Sequence, residues 1–444
     1  MRGAVFRYES FTTDAGQGLL TCRYSLDGRG FTELVTLPPG PGWDAPAAQA
    51  AARLVFLLAG VSYYKTAAPS VIDLGDIPLT AREQAFLRDF YVNGLAEFAY
   101  RNGIILDHLE LRARGSMAPS TRSSGIDGTI GTVGNRALVP FGGGIDSIVT
   151  VEQVRRLADV RLFVVSRPGD SYEAIEQPAA VAGLPITRAT REFDPQLLRS
   201  AEYGFLNGHV PVTGIISAIA VLAAVLDDRD AVVMSNEWSA SIPTLEFDGK
   251  PVNHQYSKSE SFERAFRDVL AYIPGPQPEY FSWLRDRTEL WVGREFADLE
   301  KYHSTFRSCN KAFYSDKNRR LDHWCGQCDK CCFIDLILAP FLSRDALERI
   351  FAVTGEPLGD PGLREKFRGL LGAGAKPFEC VGEVTECRAA VLLAANRPDR
   401  AGPRDELLQD LAKEVASWPD APVDTDAERM LRPVGDSFVP ARYK

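Results

Sequence analysis

The sequence lacks an uninterrupted apolar run long enough to cross a membrane, because its apolar clusters are all short. Its first residues, MRGAVFR, lack the long apolar segment and the small-residue cleavage site of an export signal. We therefore expect a cytoplasmic protein that has no membrane partner.

Basic side chains are in the minority. The chain has 50 Lys and Arg residues against 59 Asp and Glu residues, which gives a formal net charge of −9. This balance argues against broad electrostatic binding to nucleic acid, so we expect no nucleic-acid partner. The remaining composition, 45% hydrophobic and 25% charged, is typical of a globular protein.

The length of 444 residues exceeds the usual size of one hydrophobic core, so several domains are expected. Before residue 114, strand patterns come first and helical patterns follow them. A stretch rich in Ser, Gly and Thr comes next. The predicted division is an α+β N-terminal domain at 1–114, a linker or mobile loop at 115–135, a ligand-binding domain at 136–260, a mostly helical region at 261–419 and a poorly ordered tail at 420–444.

Regular alternation of strands and helices begins at residue 136. Short apolar runs with helical segments between them predict crossover units and a parallel sheet covered on both faces. In such sheets, ligands bind beyond the carboxyl ends of the strands, which here include Ser166 and Asn236. The predicted strands are 137–141, 161–166, 186–193 and 231–235, and the predicted helices are 147–157, 172–182 and 212–226; earlier strands are expected at 6–8, 19–25 and 31–37, and earlier helices at 49–61 and 81–101.

A glycine loop, FGGGIDS at residues 141–147, follows the first of these parallel strands. Gly142, Gly143 and Gly144 allow main-chain N–H groups to approach phosphate oxygens, and the helix start adds further donors. Asp146 is a candidate magnesium ligand, and Ser147 either caps the helix or donates to a phosphate. The alternative is an ordinary turn in which Asp146 is only the N-cap.

The loop has neither the dinucleotide-binding glycine spacing nor the Gly-Lys-Ser/Thr of a P-loop. It resembles the Ser-Gly-Gly-x-Asp-Ser loop of the N-type ATP pyrophosphatases, with Gly142 in place of the first serine. This resemblance implies an α/β fold with an adenine-nucleotide α-hydrolase-like (PP-loop) core. It also implies that ATP is cleaved to AMP and pyrophosphate while a carboxylate or carbonyl oxygen is adenylated.

Four cysteines have the spacing of a metal site. Cys325, Cys328 and Cys331 are three residues apart, and Cys309 lies a short way upstream. Four thiolates suit structural zinc, although a four-iron cluster accepts the same spacing and buried reduced cysteines are the alternative to both. The sequence is similar here to the family that makes the nitrile of a deazaguanine base, in which the comparable cysteines hold structural zinc.

Two polar segments follow the last predicted strand: SNEWSAS at 235–241 and NHQYSKS at 253–259. His254 is a candidate acid–base group because its unperturbed pKa lies near neutrality. Lys258 is a candidate for binding phosphate or developing negative charge, and Glu237 completes the catalytic candidates. A solvated loop with serine helix caps is the alternative.

Several segments together resemble the bacterial UDP-N-acetylmuramoyl-L-alanyl-L-glutamate epimerases. They are LAGVSYYK at 58–65, the glycine loop, the two polar segments, CGQCDKCCF at 325–333 and KPFEC at 376–380. The resemblance implies ATP-dependent and magnesium-dependent inversion of the terminal glutamate of UDP-MurNAc-L-Ala-L-Glu, in peptidoglycan precursor synthesis. Alternatives are an ATP pyrophosphatase that modifies a nucleobase or tRNA, and a nucleotide-binding regulator without catalytic activity.

Overall fold

The computed structural model describes residues 4–115, 135–275, 277–422 and 424–444. Within these ranges one large mixed sheet has the strand order β12-β9-β6-β7-β8-β3-β2-β1-β4-β5, and β10 and β11 form a separate hairpin. The strands are β1 (Val5–Asp14), β2 (Leu19–Leu26), β3 (Arg29–Thr36), β4 (Val71–Asp73), β5 (Glu110–Arg112), β6 (Arg136–Pro140), β7 (Asp159–Ser166), β8 (Ile186–Glu192), β9 (Ala231–Met234), β10 (Leu245–Phe247), β11 (Lys250–Val252) and β12 (Glu279–Ser282).

The sheet is mostly parallel, as predicted for the strands after residue 136. Strands β12, β9, β6, β7 and β8 run parallel to one another, whereas β8–β3, β3–β2 and β2–β1 are antiparallel. The N-terminal strands therefore extend the same sheet through the pairing of residues 34–36 with 190–192. Buried Arg191 donates to Glu33 at 2.7 Å across this joint.

Helices cover both faces of the sheet. The predicted helix at 212–226 is found with the same first and last residues. Its apolar sequence is buried along most of its length. The helices are α1 (Pro46–Ala59), α2 (Val61–Tyr64), α3 (Ala81–Gly94), α4 (Ala96–Asn102), α5 (Ile145–Val154), α6 (Glu173–Ala182), α7 (Pro195–Leu198), α8 (Val212–Leu226), α9 (Glu260–Leu270), α10 (Glu289–Ala297), α11 (Asp329–Leu338), α12 (Arg344–Ile350), α13 (Arg364–Leu370), α14 (Val384–Ala395), α15 (Glu406–Ala416) and α16 (Asp424–Met430).

Two hydrophobic cores lie on opposite faces of the sheet. In β6, Leu138 belongs to one core and Val139 to the other, as alternation along a strand requires. The first core contains α1 and α8, and the second contains α5, α10 and α11. The segment Pro46–Tyr64 is long and apolar enough to span a membrane. However, 89% of the 18-residue stretch that meets this criterion is buried inside the protein, where it packs in the first core.

The predicted linker falls largely outside the described residues, which omit 116–134. The division into domains therefore stays a prediction. The tail, expected to be poorly ordered, instead contains α16 and a Tyr443 side chain that is only 2% exposed. It is packed because Tyr443, Phe438 and Val439 supply apolar surface to the second core.

Candidate functional site

The glycine loop joins β6 to α5, and only its middle glycine is demanded by the fold. Gly143 has a φ of +75°, and a Cβ there would lie 2.0 Å from the carbonyl oxygen of Ala174. Gly142 has open space around it, and a Cβ on Gly144 would make an ordinary 3.8 Å contact with Ser308. A side chain at Gly143 is therefore excluded by backbone conformation and by the approach of α6.

The start of α5 leaves main-chain donors without a side-chain cap. Its N-cap is Gly144, so the interpretation of Asp146 as the N-cap is wrong. Ser147 is not a cap either, since its Oγ donates to the carbonyl oxygen of Gly144 at 3.0 Å. Because Gly144 has no side-chain acceptor, the first N–H groups of the helix can bind an anion.

An acidic cluster lies beside this helix start. One carboxylate oxygen from each of Asp146, Glu237 and Glu289 lies within 4.8 Å of the others. Asp146 Oδ1, Glu237 Oε2 and Glu289 Oε2 are buried and have no hydrogen-bond partner. Buried polar atoms are normally paired, so three unpaired carboxylate oxygens this close together form a candidate cation site.

Electrostatics supports the same conclusion. Burial, followed by the charge of Glu237, raises the pKa of Asp146 to about 6, although Lys330 and Lys258 oppose this shift. Burial and the charges of Asp146 and Glu237 raise the pKa of Glu289 well above its usual value. A divalent cation would relieve this repulsion, and three carboxylate oxygens are the donors that Mg²⁺ prefers.

Sequence reasoning missed Glu289. It is the first residue of α10, 143 positions after Asp146, and it reads locally as an acidic residue in a capped helix start. Its carboxylate is 2% exposed, and Glu386 lies close behind it, where Glu386 Oε2 accepts from the main-chain N–H of Leu290 at 3.1 Å. Burial raises the pKa of Glu386 to about 8.

Arg285 positions two of the predicted catalytic residues. Its guanidinium is 1% exposed and donates to the carbonyl oxygen of Glu237 at 3.0 Å and to that of Lys258 at 2.6 Å. Its Nε donates to Glu263 at 2.8 Å. One planar fork therefore fixes both polar segments relative to each other.

Replacing Arg285 with lysine should lower the catalytic rate per folded molecule roughly 10-fold to 100-fold, because an ammonium group lacks the planar fork that fixes both carbonyl groups. Initial rates at saturating substrate would measure the effect. Arg264→Lys is the matched control, since Arg264 is exposed and has only surface contacts with Glu260 and the Phe438 ring. Equal rates for the two variants would contradict this positioning role.

The other predicted nucleotide-site residues are placed differently. Asn236 is buried, and its main chain exchanges hydrogen bonds with the Ser282 hydroxyl at 2.6 and 2.7 Å, which anchors this segment to β12. Ser166 ends β7 beside Thr190 on β8. Within the described ranges, the hydroxyl of Ser166 has no recorded hydrogen bond to the acidic cluster.

The four predicted metal ligands come together as a cysteine knuckle, formed by Cys309, Cys325, Cys328 and Cys331. Their sulfur atoms all lie within 4.8 Å of one another. The sulfur–sulfur distance is 4.0 Å for Cys309–Cys328, 3.7 Å for Cys325–Cys331 and 3.4 Å for Cys328–Cys331. Tetrahedral zinc with Zn–S bonds of about 2.3 Å holds its sulfurs about 3.8 Å apart. The thiols therefore have the spacing of a zinc site rather than the wider spacing that a four-iron cluster needs.

The cysteine knuckle also contacts the rest of the site. Ser308, beside Cys309, faces Gly144, and its buried hydroxyl has no partner. Asn310 donates to Glu379 at 2.7 Å, and the Lys330 ammonium donates to the carbonyl oxygen of Cys380. The knuckle thus holds both the glycine loop and the 376–380 segment.

His254 lies in a second polar group, which we call the thiol cluster: Cys380, His254, Glu97 and Lys258. His254 Nδ1 contacts the Glu97 carboxylate, and His254 is close enough to Cys380 to lower the pKa of its thiol. The Lys258 ammonium lies 3.4 Å from Cys380 Sγ, and the centroids of the tilted His209 and His254 rings are 4.3 Å apart. Sequence reasoning gave Cys380 no role, because an isolated cysteine has no informative spacing.

Comparison with known proteins decides the family. Residues 1–283 match the sequence model of the MurL N-terminal domain, and residues 305–426 match that of the MurL C-terminal domain. The chain belongs to the MurL family. No solved structure matches it.

Three MurL relatives are each called UDP-N-acetyl-alpha-D-muramoyl-L-alanyl-L-glutamate epimerase. The Salinispora tropica protein is 40% identical over 99% of this chain and 94% of its own length. The Xanthomonas oryzae pv. oryzae protein is 36% identical over 98% and 95%, and the Micromonospora protein is 38% identical over 99% and 96%. Membership of this family of epimerases therefore extends over nearly the whole chain.

The MurL boundaries coincide with structural ones. The N-terminal match ends at residue 283, directly after β12 completes the large sheet. Asp146, Glu237 and Lys258 precede that boundary, whereas Glu289, the cysteine knuckle and Cys380 follow it. The candidate site of this MurL chain is therefore assembled from both sides of the boundary.

Proposed function

We propose that this chain is an ATP-dependent epimerase that inverts the terminal L-glutamate of UDP-MurNAc-L-Ala-L-Glu to D-glutamate. The names of its relatives support the substrate and the epimerisation. The observation that carries the ATP requirement is the unpaired acidic cluster beside an uncapped helix start and the glycine loop. The proposed location is the cytoplasm, where peptidoglycan precursors are made.

Adenylation of the glutamate carboxylate would make its α-proton easier to remove. Removing a proton from Cα beside a free carboxylate places negative charge next to negative charge. Transfer of AMP to that carboxylate cancels one charge and gives the carbanion an enolate-like sink. The likeness to N-type ATP pyrophosphatases in the glycine loop supports this acyl-adenylate route and a PP-loop core.

The side chains have separate parts in this proposal. Main-chain N–H groups at the start of α5 bind pyrophosphate, and Ser308, whose buried hydroxyl is unpaired, lies beside Gly144. Asp146, Glu237 and Glu289 would hold Mg²⁺, which neutralises phosphate charge as pyrophosphate leaves. Lys258 and Lys330 face the acidic cluster and can stabilise the developing oxyanion. The cysteine knuckle would hold structural Zn²⁺.

Purified protein with ATP and Mg²⁺ should release pyrophosphate only when UDP-MurNAc-L-Ala-L-Glu is present. A coupled phosphate assay would measure this, and chiral analysis of hydrolysed product would show D-glutamate. The D-glutamate form and UDP-MurNAc-L-Ala are the matched control substrates. Release with a nucleobase or tRNA but not with the dipeptide would instead establish the base-modifying alternative, and no release with any of them would indicate a regulator.

A further inference from the structure

We infer that the Cys380 thiolate is the base that removes the α-proton of the substrate glutamate, with His254 and Glu97 as positioning residues. This inference rests on the proposed adenylation, because the thiolate acts on a carboxylate already converted to an acyl-adenylate. Cys380 is not part of the proposed ATP site, so this inference gives it a separate function.

The first argument is the composition of the thiol cluster. The sulfur lies 3.4 Å from the Lys258 ammonium, and His254, whose Nδ1 is held by Glu97, is near enough to act on the thiol electrostatically. Two cationic groups beside a thiol stabilise its thiolate, and a carboxylate behind the imidazole keeps that ring protonated and oriented. A buried structural cysteine has no need of such neighbours.

The second argument is access. Cys380 is partly exposed, whereas Cys22, Cys332 and Cys387 are buried. His254 and Lys258 are also only partly buried, so the residues of the thiol cluster on this side retain some exposure to solvent. Partly exposed thiols in electropositive surroundings are the reactive ones in proteins.

The third argument is position relative to the acidic cluster. Lys258 is close enough to interact electrostatically with Cys380 on one side and with Glu237 and Asp146 on the other. Glu237 is 1% exposed and its Oε2 has no partner. A carboxyl group adenylated at the acidic cluster would therefore have its carbonyl oxygen near Lys258 and its Cα toward the sulfur.

Charge on the thiol agrees with this geometry. Burial acts to raise the pKa of the Cys380 thiol, but the Lys258 ammonium, the nearby His254 and the Lys330 charge lower it to about 6. Burial acts to lower the pKa of His254, but Cys380 and Glu97 raise it to about 9. His209, which faces the same ring, has its pKa lowered to about 4 by burial and by His254, so it adds no competing charge near neutral pH.

The proposed step balances simply. The Cα–H bond breaks as an S–H bond forms on Cys380, and the carbon–hydrogen electron pair moves through Cα to the acyl carbonyl oxygen. Lys258 donates to the resulting enolate oxygen. A solvent-derived proton then adds to the opposite face of Cα, and hydrolysis of the inverted acyl-adenylate releases AMP.

The test separates adenylation from proton transfer in the full chain. In D₂O with ATP, Mg²⁺ and the dipeptide nucleotide, Cys380→Ser should still release pyrophosphate within about 10-fold of the wild-type rate, while deuterium uptake at Cα falls roughly 100-fold to 10,000-fold. Cys22→Ala is the matched control, because Cys22 is buried in β2 away from the thiol cluster. Mass spectrometry of recovered substrate and product measures the uptake.

Three results with natively melting Cys380→Ser would overturn the assignment. Two of them concern the variant itself: uptake within about 10-fold of wild type, or loss of pyrophosphate release together with uptake. The third, measured in parallel, is an acyl thioester on Cys380 of the wild-type enzyme. Failure of the proposed function is distinct, because wild-type protein would then release no pyrophosphate. If Cys380→Ser does not fold, Glu97→Gln is the deciding variant. Without the Glu97 carboxylate, His254 is less readily protonated and lowers the thiol pKa less, so the pH midpoint of deuterium uptake should move upward from about 6. An unchanged midpoint overturns the assignment.

Discussion

Asp146→Asn should abolish turnover and at the same time stabilise the magnesium-free protein. The amide keeps the shape of the side chain but cannot supply the anionic oxygen that the acidic cluster offers to a cation. We expect pyrophosphate release to fall at least 100-fold, on the scale of losing a major electrostatic contact in a transition state. Asp298→Asn is the matched control, since Asp298 is exposed at the end of α10.

The expected gain in stability follows from the same carboxylate. Burial and the charge of Glu237 raise the pKa of Asp146 from 3.8 to about 6, so at pH 7 the folded state holds a charge that the unfolded chain accommodates more easily. Removing that charge should increase the free energy of unfolding by about 1–3 kcal/mol. The advantage of the variant should shrink as the pH falls from about 6 toward 3.8, because Asp146 then binds a proton in the folded wild type.

Denaturant titrations of both variants in magnesium-free buffer at several pH values would measure this difference. Magnesium should reverse the order by stabilising only the wild type. An asparagine variant that is less stable than wild type without magnesium, or that keeps wild-type turnover, would contradict the assignment of Asp146 to a cation site.

Disrupting the proposed zinc site of the cysteine knuckle should be the second large effect. Cys331→Ser leaves three thiols, and the chain should then purify without zinc and melt roughly 5 °C or more below wild type. Pyrophosphate release should fall at least about 100-fold, because the knuckle holds Ser308 at the glycine loop and Lys330 at the 376–380 segment. Cys332→Ala is the matched control, since this neighbour is buried outside the knuckle.

Elemental analysis by mass spectrometry would show one zinc per chain in the wild type and in Cys332→Ala. Iron and labile sulfide in place of zinc would instead establish a cluster, although the sulfur separations favour a single ion. Full activity of metal-free protein would show that the knuckle has no part in holding the site.

The sequence predicts the parts of the fold that rest on local patterns. Helix α8 is found at its predicted bounds because a run of small and β-branched apolar residues is compatible with burial on all sides. Strand β12 was missed, since four residues after a proline-rich turn show no period and the pairing with β9 supplies the information. The joint between β3 and β8 depends on residues more than 150 positions apart, and no local pattern encodes it.

The candidate site likewise has parts that local sequence predicts and parts that it does not. The glycine loop and the cysteine knuckle could be named in advance because their residues are close in sequence. Glu289 and Cys380 could not, because each becomes informative only beside partners more than 50 positions away. The PP-loop core, the bound cofactors and the role of each site residue stay predictions.

The sheet that ends at β12 also has a consequence for the timing of synthesis. When residue 283 has emerged from the ribosome, every strand of the large sheet is available for pairing. Glu289, the cysteine knuckle and Cys380 have yet to emerge at that point. The nascent chain can therefore begin to pair this sheet before the C-terminal part of the candidate site has been synthesised.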